Sequence, residues 1–166
     1  KGDTAFNESF ATAVENAGLR RWLARTAAPE QLQNFETQQQ RKAQFRQLVA
    51  DYRETLRRLY ASAQPPDTMR RAKSEVFAEM QRSYAELKAG WGGYGGYDPW
   101  FSQPLNNATL GSVSLYTKWV PAFRALLEQE DGDLPRFYRQ VAALAEMSKD
   151  ERARALDQVL RGQTGL

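Results

Sequence analysis

The sequence predicts an all-α protein, a helical bundle that contains a long antiparallel, coiled-coil-like helical hairpin. Apolar residues recur at three- and four-residue spacing over most of the chain, which is the period of an amphipathic helix. Proline, glycine and a Ser-x-x-Glu pattern separate these periodic stretches at the places where helices start and stop. No stretch shows a convincing strand pattern.

Composition limits the classes of protein to which the chain can belong. Its 166 residues, 42% of them apolar and 26% charged, suit one globular domain, so we expect residues 1–166 to form a single helical domain. The 23 basic and 20 acidic residues are interspersed, which favours solvated helix faces and no nucleic-acid partner. No apolar run approaches the roughly 20 residues of a membrane-spanning helix, so we expect no transmembrane segment. The absence of cysteine excludes disulfides and thiolate chemistry.

The first helix is predicted within residues 1–26. Its apolar face carries Phe6, Phe10 and Ala13, and either Asp3 or Thr4 can cap its first turn by accepting a backbone hydrogen bond. Glu8 stands at the edge of this apolar stripe, and a carboxylate there is costly unless it is paired, hydrogen-bonded or metal-bound.

A long helical hairpin is predicted over residues 29–89. Pro29 can occupy the first turn of its first helix, and Pro65-Pro66 forces the turn that separates the two helices. Both helices carry apolar stripes, and the spacing in the second one is close to a heptad. We therefore expect the two helices to pair in antiparallel orientation, as a structural element.

Residues 90–104 form a stretch of glycines interleaved with aromatic residues. One interpretation is a mobile loop that closes over apolar ligand groups. The other, which we favour, is a loop whose aromatic side chains cap the core from the surface.

Residues 105–166 are predicted to form the C-terminal helices. Asn106 and Asn107 are typical first residues of a helix, Pro121 starts another, and Asp131-Gly132-Asp133 is a turn. A Ser148-x-x-Glu151 capping box begins the last helix.

Three segments resemble a known protein family. Asn7-Glu8-x-Phe10-Ala11-x-x-Val14-Glu15 resembles the N-E-x-F-A-x-x-x-E segment of gluzincin-type zinc metallopeptidases. Together with Pro104-Leu105-Asn106-Asn107-Ala108 and Trp119-Val120-Pro121-Ala122-Phe123, in that order, the segment is similar to the bacterial family of predicted zinc aminopeptidases.

This resemblance implies a zinc-dependent hydrolase that removes N-terminal residues from peptides through a metal-activated water. It makes Glu8 the third zinc ligand, beside two histidines of an H-E-x-x-H helix whose glutamate is the catalytic base. The chain contains no histidine, and only seven residues precede Glu8. We therefore expect this helix in a missing N-terminal segment, and we expect the chain alone to bind no zinc and to be inactive.

The resemblance also suggests roles for the residues around Glu8. Asn7 would position the ligand, and Glu15 would accept a hydrogen bond from a ligand histidine, or else form a surface ion pair with arginine. Tyr116 is the candidate oxyanion donor, with Tyr94 and Tyr97 as rivals. Asn106 and Asn107 would hold the amino end of the peptide substrate, or else only cap a helix.

A second hypothesis comes from a different functional class. The chain would then be a non-enzymatic all-helical interaction module, with the hairpin as its binding surface. Under the first hypothesis, the apolar side chains around Glu8 lack their covering segment, so we expect the chain to self-associate as a homo-oligomer. The sequence leaves the localisation open, and a bacterial cell envelope or periplasm is one compartment that the resemblance allows.

Overall fold

A computed structural model describes residues 2–26, 29–115 and 118–162 of the chain. The described residues are all-α, with 82% of the chain helical and no strand among them. The helices are α1 (Thr4–Thr26), α2 (Pro29–Ala61), α3 (Pro66–Gly90), α4 (Asp98–Phe101), α5 (Asn107–Leu115), α6 (Val120–Gln129), α7 (Leu134–Glu146) and α8 (Lys149–Leu160). The predicted fold class is confirmed.

The helices group into two compact units. Unit 1 consists of residues 1–26 and 115–166, and unit 2 consists of residues 27–114. The single domain expected over residues 1–166 stays a prediction.

Unit 1 packs α1 and α6 together and lays α7 and α8 against α6. Its core is aromatic at the centre, since Phe123 and Phe137 are fully buried and Phe6 meets Phe123 edge to face at 5.2 Å between ring centroids. Phe10 lies between Phe123 and Phe137, with its centroid 5.8 Å and 5.9 Å from theirs. The apolar face predicted for α1 is therefore the face that enters this core.

Unit 2 is built on the packing of α2 against α3. Its core includes Phe45, Val49 and Leu56 from α2 and Met80 and Tyr84 from α3. The Tyr52 and Ser83 hydroxyls are 2.8 Å apart, and the Trp91 indole N–H donates to Gln44 Oε1 at 2.7 Å. Residue numbers thus rise along α2 as their partners' numbers fall along α3. The coiled-coil-like character of the long hairpin stays a prediction.

The glycine-rich stretch after α3 packs its aromatic residues against unit 2. Phe101 is buried and stacks on Tyr84 with centroids 3.9 Å apart, while Trp91 and Trp100 are half-buried against the same core. The interpretation in which these rings cap the core is confirmed. A Cβ at Gly95 would collide with the Asp98 carboxylate and a Cβ at Gly96 with the Tyr94 phenol, so a larger residue at either position would displace that side chain.

Helix ends follow the signals in the sequence closely. The Ser148–Glu151 capping box is present, and Asp3 Oδ1 accepts a hydrogen bond from the Phe6 N–H at 3.2 Å. α1 continues through Gly18 without a break. The short helix α4 was not predicted, because four residues leave no periodic signal. Across the described ranges, every helix is too short or too polar to cross a membrane.

Candidate functional site

The first turns of α1 present Asn7 and Glu8 to solvent. Phe6 and Ser9, on either side of this pair, are buried, because successive residues of a helix point in directions about 100° apart. The sequence places Glu8 at the edge of the buried stripe and predicts that the chain leaves this face of α1 incompletely covered. The Glu8 side chain is exposed, as expected for such a face.

Glu8 belongs to a continuous exposed face of α1. This face comprises Glu8, Ala11, Glu15, Gly18, Leu19 and Trp22. The spacing of three and four residues places them on one side of the helix, so Glu8 and Glu15 share a face, as the sequence predicted. Glu15 forms no ion pair among the described residues, and its hydrogen bond to a ligand histidine stays a prediction. Trp22 is 57% exposed and is the most exposed large apolar residue of the described chain.

A buried hydrogen bond fixes α1 next to Glu8. Ser9 is fully buried, and its Oγ accepts a hydrogen bond from the Trp119 backbone N–H at 3.1 Å. Trp119 is the residue at which α6 begins, so its N–H lacks a partner within its own helix. Ser9 therefore joins the Asn7-Glu8 segment to the Trp119–Phe123 segment, two of the three segments that carry the family resemblance.

A buried ion pair fixes the start of α1 from the other side. Arg152 Nη1 donates to Asp3 Oδ2 at 2.9 Å, and the two side chains are only 12% and 15% exposed. The same guanidinium donates to the backbone carbonyls of Leu144, Ala145 and Met147 at 2.9–3.0 Å. It also lies over the Phe6 ring, 4.6 Å from its centroid. Arg152 thus ties the capped end of α1 to the end of α7.

The third segment of the resemblance lies in unit 2. Asn106 Oδ1 accepts hydrogen bonds from the backbone N–H groups of Ala108 and Thr109 at 2.9 and 3.0 Å, so Asn106 caps α5. Asn107 Oδ1 accepts a hydrogen bond from the Tyr60 hydroxyl at 3.0 Å. Both side chains are exposed and engaged with their own unit, while their proposed contact with substrate remains a prediction.

Two of the three candidate tyrosines lie within the described residues. Tyr116 lies outside the described residues. Tyr94 lies under the Arg41 guanidinium, 4.2 Å from it, and Tyr97 stacks on Phe45 with centroids 4.1 Å apart. Burial raises the pKa of Tyr97, so it is a neutral hydrogen-bond donor at neutral pH.

Glu8 has the chemistry of one zinc ligand in the full donor set that a catalytic zinc takes. A catalytic zinc takes three protein ligands, usually histidine nitrogens and a carboxylate, and the chain has neither histidine nor cysteine. In the described ranges, no three acidic side chains converge as a metal site would require. Glu8 is one exposed carboxylate, which is one donor of such a set, so no reaction step through zinc follows from these residues alone.

A protein-family model matches most of the chain. The model of a family described as "Putative aminopeptidase" matches residues 1–156. The chain belongs to this family. Searches of curated proteins and of solved structures gave no match. The matched range includes residues of both units.

Sequence analysis missed the two residues that hold α1 in place. Ser9 falls in the apolar series Phe6, Phe10 and Ala13 at helical spacing, which marks it as core-facing and in need of a hydrogen bond. The role of Ser9 could therefore have been predicted from the sequence. The role of Arg152 could not, because its partner Asp3 lies 149 residues away in sequence.

Proposed function

We propose that this chain is part of a zinc-dependent aminopeptidase, in which Glu8 supplies one metal ligand and two histidines come from outside these 166 residues. The observation that carries the proposal is the state of Glu8: an exposed carboxylate on helical turns that Ser9 and Arg152 hold rigidly. Fixed, accessible ligands are what a catalytic metal requires. The family match supports a peptidase-related function.

Other residues have supporting roles in this proposal. Asn7 and Glu15, exposed on the same helix as Glu8, would hydrogen-bond to the ligands and orient them. Tyr116 would donate to the developing oxyanion, and Asn106 and Asn107 would bind the amino end of the peptide. When bound, zinc would supply an activated water near neutral pH.

The test replaces Glu8 with Gln in the protein encoded by the full reading frame. We expect aminopeptidase activity on an amino-acid p-nitroanilide to fall by more than about 100-fold, since even residues that only orient ligands cost 10–100-fold. Bound zinc, measured by mass spectrometry, should fall with it, while the circular dichroism spectrum stays unchanged. The matched control is Ser112→Ala, an exposed change outside the proposed site.

Retained activity in Glu8→Gln would exclude the ligand role. The 166-residue chain by itself should bind zinc only weakly, because one carboxylate does not make a catalytic site. A one-to-one, sub-micromolar site in isothermal titration of this chain would contradict that expectation. The presence of H-E-x-x-H upstream of Glu8 in the reading frame would favour the peptidase.

A second candidate function, a non-enzymatic helical interaction module, is favoured by one observation. Trp22 is 57% exposed and Leu19 is 40% exposed on the same face of α1, and large exposed apolar side chains often mark partner surfaces. A reading frame without histidine ligands, together with a partner that is lost in Trp22→Ala, would select this function.

A further inference from the structure

Asp3, the residue just before α1, uses both carboxylate oxygens and its backbone carbonyl in defined contacts. Its Oδ1 accepts a hydrogen bond from the Phe6 N–H at 3.2 Å, and its backbone carbonyl accepts one from the Asn7 N–H at 3.0 Å. Its Oδ2 accepts a hydrogen bond from Arg152 Nη1 at 2.9 Å. The Asp3 side chain is only 15% exposed, whereas Glu8 presents its carboxylate to solvent. The two carboxylates therefore have different roles in the same part of the chain.

The contacts of Asp3 act on the turn of α1 that leads to Glu8. The first N–H groups of a helix have no carbonyl partner within it, so a first turn without a cap frays easily. Asp3 accepts hydrogen bonds from the N–H groups of Phe6 and Asn7, and Glu8 is the next residue along the chain. If this first turn opened, the backbone at Glu8 would be free to move.

Arg152 connects Asp3 to a second, well-anchored part of unit 1. Its side chain is 12% exposed, and its guanidinium donates to three backbone carbonyls between residues 144 and 147 at 2.9–3.0 Å. The guanidinium also lies 4.6 Å from the centroid of the Phe6 ring. Because these other contacts hold Arg152, its ion pair with Asp3 fixes the start of α1 relative to the end of α7.

We propose that Asp3 is a positioning residue for the metal site: paired with Arg152, it fixes the backbone from which the Glu8 carboxylate reaches a zinc ion. This inference rests on the proposed function, in which Glu8 is a zinc ligand. A metal ion binds most tightly to ligands that are already held in place, and loss of an orienting partner costs about 10–100-fold in metal affinity. Asp3 itself touches neither metal nor substrate in this assignment and acts only through Glu8.

The first test measures the zinc affinity of the protein encoded by the full reading frame, by competition with a chromogenic chelator. Asp3→Asn keeps a side-chain oxygen that can cap the first turn, but it removes the charge that pairs with Arg152. We expect the dissociation constant for zinc to rise by about tenfold or more, with an unchanged circular dichroism spectrum. Excess zinc should restore activity to Asp3→Asn, because its metal ligands are intact, and should not restore it to Glu8→Gln.

Asp133 offers a matched control in the same unit. It caps α7 by accepting a hydrogen bond from the Arg136 N–H at 2.9 Å, and its Oδ2 lies 3.8 Å from Arg136 Nε. Asp133→Asn therefore makes the same chemical change at another capped helix that also pairs its aspartate with an arginine. The zinc affinity of Asp133→Asn should equal that of the wild type.

A second measurement needs no metal and uses the 166-residue chain. In Asp3→Asn, the amide hydrogens of Asn7 and Glu8 should exchange faster than in the wild type, because the first turn of α1 opens more often. A merely structural effect on unit 1 would instead speed the exchange of its protected amides together. The amides of α3, in unit 2, should not change.

Arg152→Lys is the second variant if Asp3→Asn does not fold. It keeps a cation opposite Asp3 but lacks the fork of donors that also binds the backbone carbonyls, so zinc binding should again weaken. Wild-type zinc affinity in either folded variant, beside a loss in Glu8→Gln, would overturn the role of Asp3 and leave the proposed function intact. Unchanged zinc binding in Glu8→Gln as well would contradict the proposed function itself. An Asp3→Asn enzyme that excess zinc does not rescue would also overturn the positioning role.

Discussion

The Arg152 side chain contacts five partners in unit 1. Its guanidinium contacts one carboxylate, three backbone carbonyls and one aromatic ring. Five N–H donors in a rigid fork allow a single arginine to do this, and lysine has neither the number nor the geometry. The Leu144 carbonyl also accepts a hydrogen bond from the Met147 N–H at 3.2 Å, so Arg152 adds a second donor there and supplies a donor to the carbonyls of Ala145 and Met147.

Replacing Arg152 with Met should therefore lower the free energy of unfolding by about 3 kcal/mol, as for other broken buried ion pairs. The loss combines an unpaired Asp3 carboxylate with unsatisfied carbonyls. Urea denaturation followed by circular dichroism measures it. Arg154→Met, an exposed change on the same helix, should stay within about 0.5 kcal/mol. Equal effects of the two changes would contradict the role given to Arg152.

The lowered pKa of Asp98 predicts how the stability of unit 2 changes at acid pH. Hydrogen bonds from Lys88 and then Tyr84 lower the pKa of Asp98 below its usual value of 3.8. The stability that Asp98 contributes is therefore present above that value and is lost as the pH falls through the lower, folded-state pKa. The stability difference between the wild type and Asp98→Asn should shrink below about pH 4.

The measurement for Asp98 is thermal unfolding across a series of acid pH values. Lys88→Met provides the control, because it removes the largest cause of the shift. In that background Asp98→Asn should cost less, and its pH dependence should be weaker. A difference between wild type and Asp98→Asn that stays constant between pH 5 and pH 2 would disprove the linkage.

At the scale of the elements, one hydrogen bond lies within the apolar interface of α1, in addition to the contacts of Asp3 with Arg152 and of Arg21 with the Gly132 carbonyl. Ser9 Oγ is the acceptor for the N–H of Trp119, the N-cap residue of α6, where a terminus needs a partner from outside its own helix. The phenylalanines around Ser9 bury apolar area, but apolar contacts do not fix the rotation of α1 about its own axis. The hydrogen bond fixes the rotation of α1 about its axis, and that rotation decides which residues of α1 face solvent.

Ser9→Ala should cost about 2 kcal/mol, because it leaves the buried Trp119 N–H without an acceptor. Hydrogen exchange gives a specific readout, since the Trp119 amide should exchange faster while amides of unit 2 do not change. Ser112→Ala, at an exposed serine, should have little effect. Unchanged protection of the Trp119 amide in Ser9→Ala would show that another group satisfies it.

The sequence predicted the helices well and their long-range contacts poorly. Proline at the start of α2 and α3 and the Ser148–Glu151 box are local signals that act within one turn, so they can be read directly. Glu8 was found by its motif. The stripe of Phe6 and Phe10 fixes the rotation of α1 only to within a residue. Ser9 settles that rotation through a partner 110 residues away.

At the scale of the whole molecule, the two units differ in how the chain builds them. All core residues of unit 2 come from one continuous stretch, between Phe45 and Val113. Unit 1 needs two stretches that are far apart in sequence, because Phe6 and Ala13 of α1 complete a core supplied by α6, α7 and α8.

Residues 27–114 should consequently fold when produced alone. We expect a helical circular dichroism spectrum and a cooperative thermal transition, because the stretch contains its entire core. Met80→Asp in the same piece should abolish the transition, since Met80 is fully buried. A non-cooperative melt of the unsubstituted piece would contradict this expectation.

The split architecture of unit 1 has a consequence for the chain as it leaves the ribosome. α1 is made first, but the α6–α8 residues that cover Phe6, Phe10 and Ala13 follow more than 100 positions later. At translation rates of 5–20 residues per second, the apolar side of α1 waits for roughly 10 s. Unit 2 is completed during that interval. A nascent-chain chaperone that recognises short apolar helices would therefore meet α1 before its permanent partners exist.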